Sequence, residues 1–421
     1  MSPDEAAHRQ QRGCRPPEDF RETAETLGQA LLKMAARAKD GSVYWRGPAE
    51  RAGQLVWTPL PTTMFAGSLG VALFLAGLAR VTGDAAYGEL SRETLRPLQR
   101  EVEQLVTDTE RAARVQLDLG GLSGLGSMIY GLVRAGDLLD EPSFHETAHQ
   151  ISGLVTAERI ANDEALDVML GCAGTLLALL ALHERRPSAN AQGRTPLELA
   201  ILCGQRLLDR RVDVAEGFRA WAHAGASPMG GFCHGTAGIE YALLRLHAST
   251  GTPAFLTAAV EAMENERRLF DAARRDWSYL HAEEPRFLNS WCKGAPGLLI
   301  ARCGGLTVFD TAEVRAELPL AIARTASAEL SLVDDVCCGN FGRVDALLFA
   351  GARLSDPGTQ AAAHQLASEA LDRAEGRRGF VFASKFQGAL DPRFFPGISG
   401  VGYTLLRLAA PEALPSILAL E

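Results

Sequence analysis

The sequence feature that most constrains the fold is a Gly-x-x-Gly motif that recurs seven times, each time just before an apolar run compatible with a helix. The first glycines of the motifs are Gly67, Gly121, Gly171, Gly235, Gly294, Gly339 and Gly397. Successive motifs begin 45 to 64 residues apart. Glycine permits a sharp entry into a helix and lets two helices approach closely. The repeat therefore predicts one small helical unit per motif.

Two kinds of helix alternate along the chain. The runs after the motifs, such as residues 172–182, are apolar nearly all round, which is typical of helices buried on more than one face. The runs between them are amphipathic: Leu27, Ala30, Leu31 and Met34 recur at i, i+3, i+4 and i+7. We find no convincing period-two strand run. The pattern predicts an all-α fold of paired helices in two layers. Seven helical hairpins closed into a ring would make an α/α toroid, and an open helical solenoid is the alternative that repetition alone leaves open.

Charge, hydropathy and cysteine usage exclude several classes of protein. The net charge of -9 argues against nucleic-acid binding, which requires a basic face. No apolar run approaches the ~20 residues that span a bilayer. We expect a flexible tail over residues 1–20, one domain over residues 21–421, and irregular loops at 184–194 and 211–231. Eight cysteines without a signal peptide indicate reduced thiols in the cytoplasm.

Three of the cysteines occupy equivalent points of adjacent repeats. Cys292 lies two residues before Gly294, and Cys337 and Cys338 immediately precede Gly339. In a ring of repeats, equivalent turns lie at one end of the barrel, so neighbouring turns can bring these three thiols together. Three thiolates suit Zn²⁺, and a fourth position left open is typical of a catalytic zinc site.

Spacing alone leaves other interpretations of the cysteines open. A buried cysteine is commonly just a small apolar residue. Cys337 and Cys338 are adjacent and could form a strained vicinal disulfide. Cys233 and His234, also just before a motif, are a competing pair of metal ligands. The remaining cysteines are expected to be structural: Cys14, Cys172, Cys203 and Cys303.

The motifs in combination resemble those of one family, the lanthionine synthetase C (LanC) cyclases. Residues 291–297, Trp-Cys-Lys-Gly-Ala-Pro-Gly, resemble its Trp-Cys-x-Gly-x-Pro-Gly signature. Residues 337–342 resemble its Cys-His-Gly motif, and residues 234–238 its His-Gly-x-x-Gly motif. The similarity extends from about residue 24 to the C-terminus. Residues 407–421 resemble the end of the bifunctional class II (LanM) synthetases. The family implies a closed toroid.

The resemblance also implies the chemistry. These cyclases add peptide cysteine thiols to dehydroalanine or dehydrobutyrine and form lanthionine or methyllanthionine. Carried over, the zinc ligands are Cys292, Cys337 and Cys338. Cys338 replaces the histidine of the motif, as in a subset of class II cyclases. Three thiolates would leave the site one unit negative, so we expect a more nucleophilic substrate thiolate and a fast, permissive cyclase.

Three further residues match catalytic positions of the family or lie beside them. His234 is the candidate acid that protonates the enolate, with a structural histidine as the alternative. Asp167 is the candidate that orients His234 or binds the substrate amide, with a helix cap as the alternative. Lys293 follows the zinc cysteine and could offset the negative charge or stabilise the enolate. Equally, Lys293 could only line a wet cavity.

One family feature has no match. Some stand-alone cyclases place an arginine just upstream of the Trp-Cys motif, where this chain has Leu288 and Asn289. Arg286 and Arg343 are the nearby alternatives.

Two other functions remain open from the sequence. One is a non-catalytic toroid that binds a precursor peptide. The other is a toroid enzyme of another class, such as a glycoside hydrolase, which needs paired carboxylates. Asp334 and Asp335 are the nearest such pair. For a cyclase, the implied substrate is a dehydrated precursor peptide. The chain has no room for the dehydratase of a class II synthetase, so we expect either a separate dehydratase or a fragment of a longer protein.

Overall fold

The computed structural model describes residues 14–51, 53–108, 118–215, 218–222, 228–280, 284–383 and 390–421. In chain order its helices are α1 (Pro17–Met34), α2 (Ser68–Thr82), α3 (Ala85–Thr107), α4 (Leu125–Leu139), α5 (Pro142–Ser152), α6 (Ala157–Ala161), α7 (Cys172–His183), α8 (Pro196–Asp209), α9 (Thr236–Thr250), α10 (Pro253–Arg268), α11 (Ala295–Gly305), α12 (Ala312–Thr325), α13 (Asn340–Leu354), α14 (Pro357–Arg377) and α15 (Ile398–Ala409). Helix α1 begins inside the predicted tail, residues 1–20. Residues 1–13 of that tail lie outside the described residues.

The helices form two concentric layers, which confirms the predicted toroid. The seven helices that follow the glycine motifs form the inner layer, and each contacts the next around the ring. The inner helices are α2, α4, α7, α9, α11, α13 and α15. The last inner helix, α15, packs against the first, α2, so the ring is closed. Helix α1 packs outside α15 and supplies the outer partner of the last hairpin.

The side chains explain the two layers. All of Cys172 to Leu182 in α7 are buried, because this helix contacts neighbours on both sides and an outer helix behind it. The outer helix α8 buries only one face, and a reciprocal cap fixes its start. Thr195 accepts from the Glu198 N–H, and the Glu198 carboxylate accepts from the Thr195 N–H.

The glycines allow the inner helices to start in close contact with the preceding turn. A Cβ atom at Gly238 would lie 2.0 Å from the Phe232 carbonyl oxygen, and one at Gly400 would lie 2.3 Å from that of Phe394. In both cases the carbonyl belongs to the residue six positions earlier. No side chain fits at either position, which gives the second glycine of the motif its physical reason.

The second motif is out of register with the others. In the other six repeats, the first glycine directly precedes the inner helix. In this repeat α4 begins at Leu125, and its N-cap is the last glycine of the predicted motif, Gly124, with φ 140°. The glycine that lies against the carbonyl six residues earlier is Gly126, where a Cβ atom would lie 2.6 Å from the Gly120 oxygen. The predicted motif at Gly121 is therefore not structurally equivalent to the rest.

Four short antiparallel ribbons interrupt the helices, and the sequence did not predict them. Each pairs two consecutive strands: β1 (Ala36–Arg37) with β2 (Val43–Tyr44), β3 (Arg46–Arg51) with β4 (Gln54–Pro59), β5 (Val212–Ala215) with β6 (Phe218–Ala220), and β7 (Phe270–Asp271) with β8 (Asp276–Trp277). The ribbon β5–β6 lies in the predicted loop 211–231. The strands are too short for a period-two pattern to stand out.

The last residues of the chain fill the centre of the ring. Ile417 and Leu420 are 0% and 1% exposed. The Ser416 hydroxyl donates to Asp345 of α13 at 2.6 Å. On the other side of the ring, Leu420 lies against Gly121, just before α4. The barrel is therefore a packed core rather than a channel. Within the described residues, no helix is both long and apolar enough to cross a lipid bilayer.

Candidate metal centre

A closed circle of backbone hydrogen bonds joins the seven turns at one end of the barrel. In this circle each residue's N–H donates to the carbonyl of the next, and the last donates to the first, at N···O distances of 2.9 to 3.3 Å. Its members in order are Phe65, Leu122, Met169, Cys233, Cys292, Cys337 and Phe395. The circle places equivalent residues of adjacent repeats side by side, which confirms that neighbouring turns meet at one end.

In three consecutive turns, the residue that comes directly after the circle residue in the sequence is polar. These residues are His234, Lys293 and Cys338, one from each turn. His234 and Lys293 are partly exposed and Cys338 is exposed, whereas the circle residue before each is more buried. The repeat geometry therefore gathers these side chains along one arc of the barrel end that carries the circle.

Cys292, Cys337 and Cys338 form one cluster, as the sequence predicted. Their three sulfur atoms all lie within 4.8 Å of one another. The Sγ atom of Cys338 is 3.6 Å from that of Cys292 and 3.6 Å from that of Cys337. Cys292 is 4% exposed, whereas Cys338 faces solvent. The cluster thus has a buried side and an open side.

The spacing of the sulfur atoms fits a tetrahedral metal ion. With Zn–S bonds of about 2.3 Å, two sulfurs of a tetrahedral site are about 3.8 Å apart. The two observed separations of 3.6 Å lie close to that value. In the part of the chain that the structure describes, this is the one group of three or more Cys, His, Asp or Glu side chains so arranged. The cluster can supply three ligands and leaves its open side for a fourth.

The three thiols are electrostatically unequal. Hydrogen bonds from the Cys337 and Cys338 thiols lower the pKa of Cys292 well below its usual value, and the Lys293 charge adds to that effect. The hydrogen bond to Cys292 is also the main reason that the pKa values of Cys337 and Cys338 are raised. The cluster therefore favours a first thiolate at Cys292, the most buried of the three.

Two neighbours that the sequence analysis did not single out for this role hold the cluster in place. The Asp335 carboxylate accepts from the Cys338 N–H at 2.7 Å, and burial raises the pKa of Asp335 to about 6. The Ser290 hydroxyl lies 3.4 Å from the Cys292 sulfur. Asp335 stands four residues before Gly339, the same offset that separates Asp167 from Gly171. That shared offset is the signal that could have found it.

His234 and Asp167 form a hydrogen-bonded pair, and His234 lies on the turn next to that of Cys292. The Nδ1 atom of His234 is 2.8 Å from a carboxylate oxygen of Asp167, and the two side chains are 26% and 2% exposed. The other Asp167 oxygen accepts from the Leu170 N–H at 2.7 Å. Asp167 therefore caps its own turn and also contacts the histidine of the next turn. These contacts are compatible with both the orienting role and the capping role that the sequence suggested for Asp167, and the catalytic role stays a prediction.

A buried glutamate holds the turn that carries His234. The Glu266 side chain is 1% exposed. One of its oxygens accepts from the Gly231 N–H at 3.1 Å, the Thr236 hydroxyl at 2.7 Å and the Ala237 N–H at 2.9 Å. Because these bonds span both sides of the turn, the backbone on either side of His234 is fixed.

Lys293 extends over an aromatic ring. Its Nζ atom lies 5.0 Å from the ring centroid of Tyr279, within the range of a cation–π interaction. Tyr279 was not identified from the sequence, because it belongs to a connecting segment and to no motif.

The other predicted candidates take structural positions. The Arg343 guanidinium is buried and donates to the Thr325 and Glu329 carbonyls at 2.9 and 2.8 Å. Cys233 is 1% exposed and is not a member of the cluster of three.

The pair of aspartates is also committed to the fold. Asp334 is ion-paired with Arg373 and accepts from the Val381 N–H at 2.9 Å, and Asp335 orients Cys338. Neither aspartate is more than 1% exposed, so they do not form the open carboxylate pair of a glycoside hydrolase.

Comparison with known proteins shows the family of the chain and its shared fold. The family model described as lanthionine synthetase C-like protein matches residues 58–419. Among solved structures, nisin cyclase aligns with a TM-score of 0.61 at 15% identity, covering 96% of this chain and 97% of that one. An inactive variant of the α-1,6-mannanase GH76A of Salegentibacter sp. HEL1_6 aligns with a TM-score of 0.46 at 11% identity, covering 96% and 100%. No sequence among the curated proteins matches the chain significantly. The likeness to nisin cyclase shows the shared toroid.

Proposed function

The chain belongs to the lanthionine synthetase C-like family, and from that premise we propose that it is a zinc-dependent lanthionine and methyllanthionine cyclase. The observation that carries this proposal is the cluster of Cys292, Cys337 and Cys338, which is open on one side and has His234 on the neighbouring turn. The substrate is a precursor peptide that contains cysteine and dehydrated serine or threonine. We propose that a separate dehydratase supplies those residues.

The three cysteines are the proposed zinc ligands, with the fourth position facing the open end. When bound, Zn²⁺ supplies the positive charge that keeps a peptide thiol deprotonated at neutral pH. Since the ligand thiols must stay reduced, we propose a cytoplasmic location.

The reaction is an addition in which nothing is lost. The peptide sulfur forms a bond to the β-carbon of dehydroalanine or dehydrobutyrine, and the π electrons of the double bond move onto the neighbouring carbonyl oxygen. A proton is then delivered to the α-carbon as the carbonyl re-forms. The peptide thiol gives up one proton and the α-carbon gains one, so the peptide mass does not change.

His234 is the proposed donor of the proton to the α-carbon. Its Nδ1 atom faces Asp167, so Nε2 is the ring nitrogen on the far side from the carboxylate. The buried carboxylate fixes the tautomer and the ring orientation, as in other acid–base histidines that are paired with a carboxylate. Asp167 is in turn held by the Leu170 N–H, which limits its own movement.

Lys293 is the proposed partner of the charge that develops on the carbonyl oxygen. It stands between His234 and Cys338 in the order of the turns, and this is the region in which we place the reacting carbons. A fixed positive charge at that point stabilises the enolate more than the neutral substrate, and this difference is what lowers a barrier.

The experiment that tests this function uses a dehydrated peptide with one cysteine. The zinc-loaded protein should abolish alkylatable thiol without a change in peptide mass. Removal of the metal with a chelator, or the substitution Cys292→Ala, should abolish cyclisation and zinc binding together. Cys303→Ala is the matched control, because Cys303 is 1% exposed and lies in α11 outside the cluster.

Two results would contradict the proposal. If the wild-type protein binds zinc but leaves the thiol alkylatable, the chain is a peptide-binding toroid without catalytic activity. If Cys292→Ala binds zinc and cyclises as well as Cys303→Ala does, the cluster is not the metal site.

A further inference from the structure

Tyr279 is held by backbone hydrogen bonds on both sides and lies beside the turns of His234 and Lys293. Its carbonyl accepts from the Gly230 N–H at 3.1 Å, which ties it to the turn of His234. Its own N–H donates to the Arg286 carbonyl at 2.9 Å. The neighbouring Ser278 is 4% exposed, and its hydroxyl bonds the Leu280 and Arg286 carbonyls at 2.9 and 3.1 Å. The backbone of Tyr279 therefore has little freedom.

The side chain of Tyr279 reaches the next turn. Its ring centroid lies 5.0 Å from the Lys293 ammonium, although its backbone is bonded to the preceding turn. Gly231 and Lys293 are also in close contact, since a Cβ atom at Gly231 would lie 2.6 Å from the Lys293 Cα. Tyr279 thus connects the turn of the proposed acid with the turn of the proposed cation.

We propose, given the cyclase activity proposed above, that Tyr279 is a positioning residue whose ring holds the Lys293 ammonium where the enolate oxygen forms. A lysine carries a flexible four-carbon chain, and without a partner its charge would be spread over many rotamers. A carboxylate partner would fix the ammonium but would cancel much of its charge. An aromatic face attracts the ammonium through the ring quadrupole and leaves the full positive charge for the substrate.

The place of Lys293 in the circle of turns supports a role at the enolate oxygen. The polar residues that follow the circle are, in order, His234, Lys293 and Cys338. The proposed proton donor and a proposed zinc ligand therefore flank the lysine on its two sides. An ammonium held there would lie near the carbonyl oxygen of the dehydrated residue, where the enolate charge develops. Its charge would then act on the reacting peptide as well as on the metal ligands.

The test compares Tyr279→Leu with Tyr279→Phe, which keeps the ring face and removes only the hydroxyl. In the zinc-loaded protein, Tyr279→Leu should lower kcat for the dehydrated peptide by about 2- to 5-fold, the range of an exposed cation–π contact. KM and zinc stoichiometry should stay unchanged, and Tyr279→Phe should match the wild type. In a Lys293→Met background, Tyr279→Leu should cause no further loss, because the two residues act together.

A second measurement detects the contact between Tyr279 and Lys293 without relying on catalysis. Limited acylation of lysines, followed by mass mapping, compares Lys293 with the exposed Lys33 and Lys39 in the same sample. Tyr279→Leu should raise acylation of Lys293 relative to these references, and Tyr279→Phe should not.

Several outcomes would overturn the role of Tyr279. If the wild type cyclises and Tyr279→Leu is indistinguishable from it in kcat or in acylation, the positioning role is wrong and the cyclase activity stands. The same holds if Tyr279→Phe is as slow as Tyr279→Leu. If the wild type does not cyclise at all, the proposed function fails, and the role of Tyr279 fails with it.

Discussion

The two arcs of the hydrogen-bonded circle share one backbone and differ in almost every side chain. We call the turns at residues 233–234, 292–293 and 337–338 the catalytic arc, because they carry the proposed catalytic and metal-binding residues. The other four turns, at residues 65–66, 122–123, 169–170 and 395–396, form the apolar arc. In the catalytic arc the circle residues are three cysteines, followed by His, Lys and Cys. In the apolar arc they are Phe, Leu, Met and Phe, followed by Ala, Ser, Leu and Pro. The turn geometry alone therefore does not make a metal centre.

What lies behind each arc also differs. Phe65 and Phe395 stack at a centroid distance of 5.1 Å, and Trp291 extends the stack to the catalytic arc at 5.3 Å from Phe395. Buried carboxylates hold turns in both arcs: Glu266 behind His234 and Asp335 behind Cys338 in one, and Asp167 at the Leu170 N–H in the other. The arcs therefore differ in aromatic packing and in side-chain chemistry, and not in how their turns are capped.

The largest expected effect comes from removing a sulfur without touching the circle. Cys337 contributes its N–H and carbonyl to the circle, so Cys337→Ala should leave the ring closed. It should abolish stoichiometric zinc binding and lower the cyclisation rate by more than about 1,000-fold, or about 4 kcal/mol. Metal analysis, thiol alkylation and far-UV circular dichroism measure the three consequences. A variant that keeps zinc and activity would show that Cys337 belongs to the apolar core alone.

A smaller effect is expected at the boundary between the arcs. The third turn belongs to the apolar arc through Met169, and the same turn carries Asp167, which is hydrogen-bonded to His234 of the catalytic arc. His234→Asn should lower kcat by about 100-fold, as expected for loss of a general acid. Asp167→Asn should lower it by about 10-fold, because the histidine remains but is less well oriented.

The control for these two variants is zinc content, which should equal that of the wild type in both. Steady-state cyclisation assays give the rates. If Asp167→Asn were as slow as His234→Asn and also unfolded at lower temperature, Asp167 would serve mainly as the cap of its own turn.

The apolar arc is expected to affect stability rather than chemistry. A Cβ atom at Gly400 would meet the Phe394 carbonyl at 2.3 Å and Val336 at 2.8 Å. Gly400→Ala should therefore destabilise the fold by about 1–3 kcal/mol, the usual cost of overpacking, while the folded fraction keeps its zinc. Gly376→Ala is the matched control, because Gly376 is an exposed residue of α14 with no atom within 4 Å of a Cβ. Equal denaturant midpoints for the two variants would contradict the steric role.

The sequence predicts the ring and the thiol cluster for the same reason. Both depend on positions counted from the repeated glycines, as Cys292 and Cys337 show, each two residues before its glycine. Where a glycine motif is displaced from its turn, the predicted start of the inner helix is wrong. The motif at Gly121 is displaced because the chain enters α4 only at Leu125, after Gly124.

The residues that support the site could not be found by counting positions from the repeated glycines. Tyr279 and Glu266 lie outside the motifs, on a connecting segment and on an outer helix, and only the fold brings them to the turns. The four ribbons were missed because two to six residues carry too little pattern to compete with long helices. Local periodicity finds repeated elements, whereas contacts between distant segments need the three-dimensional structure.

The smallest expected effect tests Cys338, where the sequence resemblance implies a histidine in the family motif. Cys338 is the exposed member of the cluster. With three thiolates, the proposed zinc site would carry one more negative charge than a site with two cysteines and one histidine. The extra charge should make the substrate thiolate more nucleophilic.

Cys338→His should therefore keep zinc at one per chain and slow cyclisation by less than about 10-fold, or about 1.4 kcal/mol. The slower reaction should also be more selective, because a less reactive thiolate depends more on how the peptide is placed. Rates and ring patterns on a peptide with several cysteines measure both effects. Because the Asp335 carboxylate binds the backbone N–H of residue 338, the turn itself should be unaffected by the change of side chain. An unchanged rate and ring pattern would mean that ligand charge does not tune this centre.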